Sequence, residues 1–148
     1  MADAKSHDDA CESCHPGYYQ NEPSRSECEA CLPGKWNDQN GMKDESNCIN
    51  CTKGTYSSAE ASGEECNKCA AGKMNDNVGS SSSGDCEDCD ENTKAAVAGS
   101  GECVPCEMGS VSDPGSAKCT QCVAGMFSRV VGETCESCDP GFYRSRNM

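Results

Sequence analysis

Large apolar residues are nearly absent from this chain: it has one leucine, one isoleucine, seven valines and two phenylalanines among 148 residues. So few cannot bury the surface that offsets the entropy of ordering a chain, and such a composition taken alone describes a polypeptide that stays disordered. No apolar run is long enough to cross a bilayer, and no window keeps a helical periodicity, which excludes a membrane span in this segment and a helical bundle. With only His7 and His15 available, one in a polar lead and one in a spacer, no hydrolytic triad can be drawn. Basic residues are also scarce, 12 against 25 acids for a net charge of -13, so the surface repels phosphate backbones and nucleic-acid binding is excluded. Residues 1–10 (MADAKSHDDA) lack the apolar centre of a secretory signal, and the sequence stops in mid-repeat at Met148. Both ends read as cuts from a longer chain.

What the chain has instead is cysteine. Sixteen in 148 residues lies above the range of about 8–10% that marks a disulfide scaffold in a short secreted chain. A bridge closing a loop of about 15 residues removes roughly 3 kcal/mol of unfolded-state entropy in the simplest treatment. Several such bridges can stand in for a core. Because disulfides persist in oxidising compartments, the expected location is extracellular or at the cell surface.

All sixteen cysteines fall in eight copies of one phrase, of which Cys48 to Tyr56 (CINCTKGTY) is representative. Gaps of 13, 16, 14, 16, 13, 12 and 12 residues separate successive CxxC pairs, the self-similarity of a repeat architecture. A longer period is superimposed, because LPGKWNDQNGMKDESN after Cys31 resembles AAGKMNDNVGSSSSGD after Cys69. It divides the chain into a polar lead or end of a preceding repeat (1–10), repeats at 11–47, 48–85 and 86–118, and a truncated repeat at 119–148.

Pairing of the cysteines is open between two schemes. In the first, each double unit joins first to third and second to fourth: Cys11–Cys28 and Cys14–Cys31, Cys48–Cys66 and Cys51–Cys69, Cys86–Cys103 and Cys89–Cys106, Cys119–Cys135 and Cys122–Cys138. In the second, each gap is closed on itself, from Cys14–Cys28 to Cys122–Cys135, leaving Cys11 and Cys138 for partners outside. The alternation of loop lengths in the double unit favours the first.

Glycine stands three residues after the second cysteine in seven copies (Gly17, Gly34, Gly54, Gly72, Gly109, Gly125, Gly141), as a turn with positive φ requires. The eighth copy has Asn92, which also tolerates that region. A ring or apolar residue two further on (Tyr19, Trp36, Tyr56, Met74, Val111, Phe127, Tyr143) is expected to cover a disulfide. Lys94 interrupts this column, with Val97 as its substitute. The polar stretches that follow suit short hairpins and open turns. The expected fold is therefore small, disulfide-rich and mainly irregular with short β-hairpins: an elongated tandem-repeat rod without a single hydrophobic core.

The phrase C-x2-C-x2-G-x-aromatic over 11–143 resembles the ephrin-receptor-like cysteine-rich repeat. It also looks like the opening of tumour necrosis factor receptor modules and the CxxC-rich surface proteins of parasitic protists. The resemblance implies an elongated, extracellular, non-enzymatic region of the kind that also occurs in the hair proteins of algal flagella (mastigonemes). Tumour necrosis factor receptor modules carry further cysteines inside each loop, and this chain does not. The fifth copy, without glycine or ring, is the candidate bend.

Other chemistry competes for the same residues. C-x2-C-x13-C-x2-C from Cys11 to Cys31 has the spacing of a four-thiolate zinc site, which would make the chain an intracellular multi-zinc protein. CESCH at 11–15 matches the haem-attachment pattern, yet the residue after the pair varies in the other copies. Asn37-Asp38-Gln39-Asn40-Gly41 and Asn75-Asp76-Asn77 offer oxygens that could hold calcium, although no loop completes an EF-hand. Asn50-Cys51-Thr52 is an N-glycosylation sequon, and Ser57, Ser58 and Ser80, Ser81, Ser82, Ser83 are candidate O-glycan sites. The reading is a non-enzymatic segment, needing no cofactor, of an extracellular filament, surface hair or stalk that assembles with copies of itself or neighbouring repeats. A ligand-binding or adhesion ectodomain is the alternative.

Overall fold

The computed structural model describes residues 11–144, and the lead at 1–10, with His7, lies outside them. It contains seven antiparallel two-stranded hairpins built on one plan. Tyr18–Tyr19 pairs with Glu29–Ala30, Lys35–Trp36 with Ile49–Asn50, Thr55–Tyr56 with Asn67–Lys68, and Lys73–Met74 with Glu87–Asp88. Thr93–Lys94 pairs with Val104–Pro105, Ser110–Val111 with Thr120–Gln121, and Met126–Phe127 with Glu136–Ser137. In each, the strand after the turn glycine, or after Asn92, lies against the two residues inside the next CxxC. No helix among the described residues is long and apolar enough to cross a membrane.

Seven disulfides close successive loops: Cys14–Cys28, Cys31–Cys48, Cys51–Cys66, Cys69–Cys86, Cys89–Cys103, Cys106–Cys119 and Cys122–Cys135. The first-to-third, second-to-fourth scheme is thereby overturned, and Cys11 and Cys138 are free thiols. The reason is the strand inside each CxxC. Side chains alternate along a strand, so residues three apart point to opposite faces. One cysteine of a pair therefore closes the loop before it and the other the loop after it.

The local turn is the one the glycines announce. Gly17, Gly34, Gly54 and Gly72 have φ of 83°, 84°, 79° and 86°, and Asn92 takes 60°. Each sits third in a turn closed by a hydrogen bond such as that from the Lys35 amide to the Leu32 carbonyl, 3.1 Å. A positive φ at that place defines a type II turn, and Pro16 and Pro33 occupy the position before it that favours proline. Asn92 keeps the bonds of its counterparts, since the Cys106 amide donates to its carbonyl at 2.8 Å as Cys51 does to Gly34. The fifth copy thus preserves the hairpin.

Two expectations for side chains change. Tyr19 does pack on the Cys31–Cys48 bridge, joined by Met42. Its equivalents Trp36, Tyr56, Met74, Lys94, Val111 and Phe127 are only half-buried, and Val97, 67% exposed, substitutes for nothing. The buried column is the next residue: Asn37, Ser57, Asn75, Ala95 and Ser128, with Ser112 half-buried. It points the other way along the strand, into the narrow space between consecutive loops. Only small side chains fit there.

Loops two and four share a further detail that reflects the longer period. Each ends in a short 3-10 turn, Glu45–Asn47 or Ser83–Asp85, held by a reciprocal capping box from Asp44 or Ser82.

Candidate functional site

The feature repeated most faithfully is the surface by which one loop stacks on the next. The Gly17 amide donates to the Asn37 carbonyl at 2.7 Å, Gly34 to Ser57 at 2.8 Å, Gly54 to Asn75 at 2.7 Å and Gly72 to Ala95 at 2.9 Å. In the return direction, the Gly41, Ala61, Gly79, Gly99, Gly115 and Gly132 amides donate to the carbonyls of Cys14, Cys31, Cys51, Cys69, Cys89 and Cys106. A third series runs from Asn37 to Ser62, Ser57 to Ser80 and Asn75 to Ser100. Backbone groups that a sheet would satisfy laterally are here satisfied by the neighbouring loop.

Contact extends to the loop after the next. A Cβ at Gly17 would lie 2.0 Å from the Ala61 oxygen, at Gly34 2.1 Å from that of Gly79, at Gly54 2.0 Å from that of Gly99 and at Gly72 2.0 Å from that of Gly115. The turn glycine therefore serves twice, for its φ and for the close approach of another backbone. With each of the first four loops touching two successors, the array propagates along one direction as a solenoid does.

The sequence reading missed the second glycine column, of which it saw only Gly41 and Gly79. These residues also have positive φ, from 69° at Gly41 to 85° at Gly99, with Ala61 at 55° and Ser24 at 67° as the departures. The signal was there as a nearly constant spacing: Gly34 to Gly41, Gly72 to Gly79, Asn92 to Gly99 and Gly125 to Gly132 are seven apart, and Gly109 to Gly115 six. Variable distance to the next cysteine hid it.

Inside the stack, Asn75 is satisfied: its Nδ2 donates to Ser80 Oγ at 2.8 Å and to the Thr55 carbonyl at 3.3 Å, while its Oδ1 accepts from the Asn77 amide at 3.0 Å. Asn37 repeats only the last of these, with Gln39 at 2.9 Å, and its buried Nδ2 has no partner. Met42 stands where Ser80 stands in the later loop, and a thioether chain offers nothing comparable.

In both proposed calcium segments, the oxygen of the first asparagine, Asn37 or Asn75, is thus engaged by its own backbone. Among the described residues no group of three or more histidines, cysteines and acids is placed to hold a metal. Fourteen cysteines are committed to bridges rather than zinc, and His15 is an exposed spacer. Of the glycan candidates, Asn50, Ser58, Ser81, Ser82 and Ser83 are exposed, whereas Ser57 and Ser80 are 3% and 6% exposed and belong to the stack.

Charges decorate the outside. Glu29 accepts from the Tyr19 hydroxyl at 2.9 Å and from Arg25 at 2.7 Å, and Arg25 also reaches Glu22 at 2.7 Å. That hydrogen bond, then burial and the charge of Glu29, holds the Tyr19 phenol above its ordinary range. Lys73 meets Asp88 across its hairpin at 2.7 Å. Exposed pairs of this kind contribute little to stability.

The ephrin-receptor-like family model, described as tyrosine-protein kinase ephrin type A/B receptor-like, matches residues 4–48 and 40–86, together more than half of the chain. No curated protein matches the chain.

Proposed function

This chain belongs to the tyrosine-protein kinase ephrin type A/B receptor-like repeat family, and from that premise we propose that it is a non-enzymatic structural segment of an extracellular filament, surface hair or stalk. The family is a non-catalytic extracellular module, and the tandem disulfides point to the same compartment. What carries the structural reading is the loop-to-loop ladder. It spends the buried surface, the glycines and the backbone hydrogen bonds on keeping consecutive loops in register, and leaves long polar loops outside.

Such a segment sets distance and stiffness. Glycans at Ser81, Ser82 and Ser83, all exposed, would shield it away from the loop-to-loop ladder, whereas one at the exposed Asn50 would start beside Gly79 of that ladder. The test is production through a secretory pathway followed by small-angle scattering and electron micrographs across concentration. Rods of one length that associate into filaments support the reading. Compact particles that remain dispersed at high concentration contradict it.

A further inference from the structure

The bridges are not equally open to a thiol. In Cys31–Cys48 and Cys69–Cys86 both cysteines are buried. Cys14–Cys28, Cys51–Cys66, Cys89–Cys103 and Cys106–Cys119 each join a buried cysteine to a half-buried one, and the half-buried one always comes second in the chain. Cys122–Cys135, half-buried at both cysteines, has no complete loop beyond it in this sequence. Thiol–disulfide exchange starts with a thiolate attacking one sulfur, and access helps to decide which. In the four asymmetric bridges the point of attack is therefore Cys28, Cys66, Cys103 or Cys119.

Charge separates the four. Exposed acids stand immediately before Cys28, Cys66 and Cys103, as Glu27, Glu65 and Glu102, and repel an anionic attacker. Before Cys119 stands Lys118, also exposed, and after it Thr120. The concavity that Lys118 lines also carries Glu91 and Asp113, so the contrast between copies is Lys118 against the three glutamates. The other sulfur of this bridge has a neighbour of its own. Ser112 Oγ lies 3.4 Å from Cys106 Sγ and donates its proton to the Thr93 carbonyl at 2.7 Å. Once Cys106 leaves as a thiolate, the hydroxyl can turn and donate to it, because a charged acceptor makes the stronger bond. The same place is taken by Ala95 after Cys89, and by Ser57, without that contact, after Cys51.

We propose that Cys106–Cys119 is a thiol–disulfide exchange site for a small anionic thiol of the glutathione class. The thiolate attacks Cys119 Sγ, a mixed disulfide forms, the Cys106–Cys119 bond breaks, and its electron pair leaves on Cys106. A second thiolate attacks the mixed disulfide and frees Cys119. Two small thiols are thereby oxidised to one disulfide, and the bridge is reduced to two thiols that take up the protons. The loop so opened carries the Ser112 and Ser116 carbonyls, which accept from the Asn92 and Ala95 amides, and the Gly115 amide, which donates to the Cys89 carbonyl. Exchange therefore loosens the stack at the fifth hairpin, whether or not the chain assembles into filaments.

The test uses the oxidised chain with Cys11→Ser and Cys138→Ser, which removes competing thiols. Limiting reduced glutathione is added at low ionic strength, the reaction is quenched with acid and N-ethylmaleimide, and mass spectrometry of the unreduced digest locates both labels. Among the six bridges that have a complete loop beyond them, glutathione is expected first on Cys119, with maleimide on Cys106. Lys118→Glu should slow that adduct about threefold or more, an effect that high salt shrinks. Ser112→Ala should slow it as well. Cysteamine, a thiol that carries a positive charge, should reverse the order and attack first at Cys28, Cys66 or Cys103. Glutathione appearing first on one of those three, on Cys106 or at a wholly buried bridge would overturn the site. So would an unchanged rate in Lys118→Glu or Ser112→Ala, or the same order with cysteamine.

Discussion

Gly34 and Gly79, 45 positions apart, meet backbone to backbone: a Cβ on the first would lie 2.1 Å from the carbonyl oxygen of the second. The contact couples a loop to the loop two ahead, and Gly17 with Ala61, Gly54 with Gly99 and Gly72 with Gly115 repeat it. A chain with almost no large apolar side chains can hold its shape this way, because the stack brings main chain against main chain and needs no filling.

Substituting Gly54 by alanine should therefore be far more damaging than the same change at Gly125. Both have positive φ, which costs an alanine about 1–2 kcal/mol. Only Gly54 also faces a carbonyl at 2.0 Å, whereas nothing lies within 4 Å of a Cβ on Gly125. Denaturant midpoints of the two oxidised variants should separate clearly. Equal midpoints would mean that φ alone fixes the glycine.

The paired asparagines give a test inside the stack. Asn75→Ala leaves the Thr55 carbonyl and the Ser80 hydroxyl without their donor and should cost about 1–3 kcal/mol. Asn37→Ser removes a buried Nδ2 that has no partner, gives up the Oδ1 bond to the amide of the exposed Gln39, and installs the residue found at Ser57 and Ser128, so it should cost less than Asn75→Ala. Thermal unfolding of both variants measures the difference.

Alkaline pH should act through Tyr19. Its pKa is raised in the folded chain by the hydrogen bond to Glu29, so the neutral phenol is favoured by folding. That contribution is fully present below the unfolded value of about 10 and is lost as pH rises through the folded value. Phenolate absorbance should show one tyrosine titrating late, and Glu29→Ala should remove the delay. An unchanged titration would place the phenol outside that hydrogen bond.

Much of the fold was legible in the chain because its determinants are local. Gly17 to Gly141 mark turns whose φ only glycine or asparagine adopts easily, and Asn92 behaves as that logic requires. The pairing of cysteines was not legible, because it depends on which face of a two-residue strand each cysteine occupies. The repeat length spoke for Cys48–Cys66 while the strand at Ile49–Asn50 turns Cys48 back to Cys31. The buried column was misassigned for a related reason. Ring residues look like core, but at Trp36 the space lies on the side of Asn37.

The most direct measurement is the disulfide map of the oxidised protein, digested without reduction by trypsin and a glutamate-specific protease. Trypsin cuts after Lys68 and so separates Cys66 from Cys69, while cleavage after Glu87 separates Cys86 from Cys89. Loop-by-loop stapling requires peptide 69–73 to be joined to the peptide ending at Glu87, through Cys69–Cys86. Finding 69–73 joined instead to the peptide that carries Cys48 and Cys51 would contradict it, and with it the stacking that the loops are built to make.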